Sequence, residues 1–109
     1  MWIFTTFGFF SAVQKPGESN LTVRTRVAGD LDKLREQYLP ELSATVGKGG
    51  TDYPFRATIS HAAFALGLAK IGGDIHYGNF KSEVARKMGS KREAVYHKVW
   101  RALTELEKE

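Results

Sequence analysis

The sequence predicts an α+β fold: a small antiparallel sheet packed by about four helices, in the order ββαβααα. Three observations carry this. Residues 21–27 and 53–60 alternate apolar and polar side chains, which is the period of a half-buried strand. The cluster Pro16-Gly17-Glu18-Ser19-Asn20 is turn chemistry between two strand-like runs. From Ser60 onward, apolar residues recur at helical spacing behind residues that cap helices.

The first run, Trp2 to Lys15, is rich in Phe, Thr, Val and Ile and reads as one strand, hairpinned to Leu21–Val27. In the second strand, Leu21, Val23, Thr25 and Val27 share one face, and Thr22, Arg24 and Arg26 share the other. With Pro16 to Asn20 as the loop, Lys15 faces Leu21, Val13 faces Val23, Ser11 faces Thr25 and Phe9 faces Val27. Phe7 and Phe9 then belong to the core. The opposite face carries Trp2, Phe4, Phe10 and Ala12 beside Arg24 and Arg26.

After Gly29, Asp30 is the expected N-cap of a helix carrying Leu31, Leu34, Tyr38 and Leu42, disturbed in its last turn by Pro40. Residues Ser43 to Asp52 hold three glycines in no phosphate-loop spacing, so they read as a connection. Tyr53 to Ser60 is the third strand, with Tyr53, Phe55, Ala57 and Ile59 on one face opposed to Arg56 and Thr58, and Pro54 where only a strand start or sheet edge tolerates it. Ser60 caps a helix over His61–Ile71, apolar nearly all round, expected to be the most buried and stopped by Gly72-Gly73. Asn79 caps Phe80–Met88. Ser90-Lys91-Arg92-Glu93 has capping-box spacing before a last helix with Val95, Val99, Leu103 and Leu106.

Composition narrows the function classes. With 109 residues, 42% apolar and 26% charged, the chain fits one domain over 1–109. Its longest largely apolar stretch, Ala62 to Ile71, is about half the roughly 20 residues of a membrane-spanning helix, so no membrane association is expected. The start of the chain reads as strand rather than secretory signal, and cytoplasm is the expected compartment. Without cysteine there is no disulfide, thiolate metal site or cysteine nucleophile. A net charge of +4 permits an anionic partner but does not require one.

Phe7-Gly8-Phe9-Phe10 matches the middle of the RNP1 strand of RNA-recognition domains, whose aromatics stack bases on an open sheet face. The flanks do not match: Thr5-Thr6 replaces the basic residue and glycine, and Ala12 replaces the last aromatic. The hairpin register, not the motif, selects the candidate surface: Trp2, Phe4, Phe10, Arg24, Arg26 and Arg56. Interleaved arginines and aromatics hold phosphates and stack bases, which points to single-stranded nucleic acid or a nucleotide-like ligand. The plainer reading is that helices cover this face too, or that Arg24 and Arg26 lie over Phe10 as cation–π packing.

A second candidate is a helix-turn-helix, since Val84-Ala85-Arg86-Lys87-Met88-Gly89 and the later Val95 fit its small residue, turn glycine and apolar position. Lys81, Lys87, Lys91 and Arg92 would contact DNA phosphates there. Lys98 stands where a third apolar residue is expected. His61, His76 and His97 lack ligand spacing, so neither metal nor cofactor is expected. Nothing brings Asp52, Asp74 or Glu83 together as acid and base, and the chain does not read as an enzyme. The alternative is a protein-interaction or homo-oligomerisation module, such as an adaptor or inhibitor encoded by a mobile element, burying its aromatics against another chain.

At MWIFTTFGFFSAVQK, LTVRTRV, GTDYPFRATIS, NFKSEV and YHKVW the chain resembles a family of short bacterial proteins without an established activity. That resemblance spans nearly the whole chain. It implies a free-standing domain and supplies no catalytic residue to carry over.

Overall fold

Five antiparallel strands form one sheet: β1 (Trp2–Thr5), β2 (Gly8–Val13), β3 (Leu21–Thr25), β4 (Val46–Gly47) and β5 (Phe55–Ile59), in spatial order β1-β2-β3-β5-β4. With α1 (Ala28–Gln37), α2 (His61–Gly73), α3 (Phe80–Met88) and α4 (Ser90–Leu103), the fold is α+β, with two strands more than predicted. The computed structural model describes residues 1–47 and 49–109; Lys48, inside the connection expected over 43–52, lies outside the described residues. The chain divides into two units, Met1–Ile75 and His76–Glu109. Among the described residues, no helix is long and apolar enough to cross a membrane.

One extra strand arises because the first run reverses on itself at Thr6-Phe7, pairing Thr5 with Gly8 and Phe4 with Phe9. The Thr5 hydroxyl donates to the Gly8 carbonyl at 2.7 Å and accepts from the Phe7 amide at 3.2 Å. Side-chain bonds thus hold a turn that lacks the Asn-Gly pair of common two-residue hairpins. The other extra strand is the short β4. It pairs with β5, and Ser43 extends the edge by bonding Thr58 through both its amide and its hydroxyl.

The predicted hairpin register is off by one residue. β2 and β3 pair Ser11 with Arg24, Ala12 with Val23 and Val13 with Thr22, because Gln14 and Lys15 join the turn. Gln14 donates there to the Glu18 carbonyl at 2.8 Å. A one-residue slip exchanges the two faces of a strand. Phe10, expected on the arginine face, is 1% exposed in the core, and Ala12 is buried with it. Phe9 takes the outer position instead. Phe7 is buried as expected, but from the turn, its ring 5.6 Å from that of Phe10 and 5.1 Å from that of Tyr38.

The core of the first unit lies on one face of the sheet. Phe10, Ala12, Val23, Ala57 and Ile59 meet Leu31 and Leu34 of α1 and Phe64 of α2. Asp30 does not cap α1, whose N-cap is Val27; it lies in the first turn and is buried. Its carboxylate accepts from the Phe9 amide at 3.0 Å. α2 is capped by Ser60 as expected, but among its residues only Phe64 and Gly67 are buried, so it is a one-sided helix of the surface.

In the second unit, Asn79 caps α3 by accepting from the Ser82 amide at 2.9 Å. Gly89 alone joins α3 to α4, at φ 93°, a left-handed conformation that favours glycine. Ser90 is therefore the first residue of α4 and forms no capping box. Val84 and Tyr96 are buried between the helices, and the ring of Tyr96 stacks on Phe80 at 5.9 Å.

Two consequences can be measured. A Cβ at residue 8 would stand 2.9 Å from the Asp30 side chain and from the Phe10 ring. Gly8→Ala should therefore cost about 1–3 kcal/mol in denaturant unfolding, as overpacking does. The Tyr38 hydroxyl donates to Asp74 at 2.7 Å, and that bond, then burial and the carboxylate charge, push its pKa from 10.0 up to about 12. A raised pKa means the contribution is complete below about 10 and is lost as pH rises through 12. Absorbance titration should show Tyr38 ionising late, and Asp74→Asn should return it towards its ordinary value.

Candidate functional site

The outer face of the sheet gathers aromatics and arginines from β1, β2, β3, the residue that follows β3, β5 and the segment ahead of β5. Phe4 and Phe9 are cross-strand partners, and their rings stack at 4.5 Å with 24° between planes. Trp2 meets the edge of Phe9 at 5.8 Å and stays 65% exposed. Phe9 also approaches Tyr53, centroid to centroid 6.4 Å. Tyr53 is 5% exposed, just ahead of Pro54 and β5.

Tyr53 is the pivot of the basic part. The guanidinium of Arg24 lies 4.6 Å from its ring centroid and that of Arg26 4.8 Å, distances at which the ring quadrupole attracts a cation. Arg24 Nε donates to the Ser11 hydroxyl at 3.1 Å, Arg26 Nη1 to the Asp52 carbonyl at 3.0 Å, and Arg56 Nε to the Tyr53 carbonyl at 3.1 Å. Neutral oxygens therefore orient all three arginines.

Arg24 and Arg56 are also direct cross-strand partners. Like charges so placed repel, by a few tenths to about 1 kcal/mol. Among the described residues, no carboxylate forms an ion pair with Arg24, Arg26 or Arg56. The result is a local positive field beside an exposed indole.

The structure thus brings together Trp2, Phe4, Arg24, Arg26 and Arg56 and takes Phe10 away, buried on the other side of the sheet. Two members were missed. Phe9 was hidden by the register, and Tyr53 by its apparent place among inward residues of the third strand. The signal available for Tyr53 was its position three residues ahead of Arg56, beside a proline that delays strand pairing.

The helical candidates lie in the second unit. Lys81 donates to His97 Nδ1 at 3.2 Å and sits 4.2 Å over the Trp100 ring, so its charge is engaged. Arg92 is half-buried with its guanidinium 5.9 Å from the Tyr96 centroid, whereas Lys87 and Lys91 are exposed. A single glycine joins the helices, where a DNA-reading pair uses a turn of three or four residues. Arg86 holds Glu83 through two bonds of 2.8 and 2.7 Å, which lowers the Glu83 pKa and raises that of Arg86. His61 contacts Gln14 at 3.1 Å, and Asp74 accepts from Tyr38.

Comparison of the chain with protein-family models, curated proteins and solved structures finds no match. The functional reading therefore stands on the geometry of the site.

Tyr53 and Arg24 should be energetically coupled. In a double-mutant cycle with Tyr53→Leu and Arg24→Ala, unfolding should report a coupling of about 0.5–2 kcal/mol, the range for a partly desolvated cation–π pair. Tyr53→Leu paired with Lys15→Ala serves as the uncoupled control.

Proposed function

We propose that the chain is a non-enzymatic binding module for an anionic, base-bearing partner, a single-stranded nucleic acid or a nucleotide-like piece of one. The observation that carries this is the triad Arg24, Arg26 and Arg56, which forms no ion pair with a carboxylate among the described residues, placed beside the aromatic series Trp2, Phe9 and Phe4. A phosphate between Arg24 and Arg56 relieves their mutual repulsion, and forked guanidinium donors suit its oxygens. The exposed ring of Trp2 offers a base a stacking surface without sequence preference.

The protein-interaction reading rests on the same exposed Trp2, and salt dependence separates the two. For the helix-turn-helix reading, Lys87 and Lys91 are the exposed cations it would use on α3 and α4, a weaker basis than the triad. In that case affinity would favour duplex over single strand.

The test is fluorescence anisotropy with a short labelled oligonucleotide. If three arginines each neutralise a phosphate, log affinity should fall with log salt at a slope of about −2. Trp2→Ala should cost about 1–3 kcal/mol of binding and leave the melting temperature near that of the parent protein. Absence of binding at low salt, or binding indifferent to Trp2 and to salt, would refute the proposal.

A further inference from the structure

The second unit buries little of its own apolar surface. Between His76 and Glu109, only Val84 and Tyr96 are buried hydrophobics among the described residues. Meanwhile Val95, Leu103 and Leu106 are 55%, 54% and 57% exposed, and Val99 is half-buried. Spacings of four, four and three put these residues in one stripe along α4 and the turn that follows it. The last turn tightens into a 3-10 segment over Thr104–Lys108, in which side chains three apart eclipse, so Leu106 stands in line with Leu103. A helical pair with so small a core gains from covering that stripe.

The charges beside the stripe indicate what covers it. Lys98 lies on its N-terminal half and Glu105 on its C-terminal half, both exposed. Glu105 is paired with Lys108 at 2.8 Å, but as an exposed i,i+3 pair this contributes little and leaves the carboxylate available. A basic half followed by an acidic half complements itself when two identical helices run antiparallel.

We infer that the chain self-associates through α4, the stripe of one copy lying antiparallel on that of a second copy. Val95 layers on Leu106 of the second copy and Val99 on its Leu103, with Lys98 beside its Glu105. The arrangement is two-fold symmetric, so every contact occurs twice. It does not depend on the reading of the sheet face.

Sedimentation equilibrium on the full chain tests this. The parent protein should show dimer mass that dissociates on dilution. Lys98→Glu and Glu105→Lys should each weaken the dimer roughly tenfold, since each replaces two attractions by two repulsions. The double reversal should restore it. Both positions are exposed, so the variants should keep the parent's circular dichroism. Monomer mass at every concentration from low micromolar upward would overturn the inference, as would reversals whose losses add, or a dimer that none of the variants weakens.

Discussion

The first unit depends on one buried carboxylate. Asp30, in the first turn of α1, accepts the Phe9 amide and lies against Gly8 so closely that no Cβ fits there. Burying a carboxylate is costly unless hydrogen bonds and favourable dipoles compensate it. The amide of Phe9 supplies one compensation, and the N-terminal end of α1 supplies another by its positive field. Helix and hairpin are thereby fixed at one point. Phe10, next in sequence to the bonded amide, turns into the core against α1, and Phe9 turns out.

That single choice determines the composition of the outer face. With Phe9 outward, its ring bridges the Trp2–Phe4 end of the hairpin to Tyr53, and Tyr53 carries the guanidinium groups of Arg24 and Arg26. With Phe9 inward, the aromatic series would stop at β1. The arginines gain their positions from neutral oxygens and a ring, none of which cancels charge. Structural support and an available positive field coexist in the same side chains.

Much of the fold was legible in the sequence because its signals are local. The alternation of Leu21–Thr25, the cap at Ser60 and the cap at Asn79 each depend on a few neighbouring residues, and each element forms where those residues predict it. The failures share a different physics. The turn at Thr6-Phe7 has no glycine or asparagine inside it and is held by a threonine hydroxyl, so turn chemistry gave no warning. The β2–β3 register depended on whether Gln14 and Lys15 belonged to strand or loop, a matter of two residues without apolar alternation. Asp30 resembles an N-cap in sequence, and only tertiary contact makes it an acceptor for a strand. Of the candidate site, Arg24, Arg26 and Arg56 were readable from alternation, whereas Trp2 and Phe4 reach the expected face because the turn at Thr6-Phe7 and the one-residue register shift offset each other. Phe9, Phe10 and Tyr53 were not readable, because their placement is settled by contacts distant in sequence.

The measurement that tests the sheet-face reading most directly is residue-resolved NMR during titration with a short single-stranded oligonucleotide. The expected result is a set of shifts confined to the Trp2 indole, the amide of Phe9 and the guanidinium groups of Arg24, Arg26 and Arg56, with the core methyl groups of Leu31 and Leu34 unmoved. Shifts centred instead on Lys87 and Lys91, or no shifts at all at low salt, would contradict it.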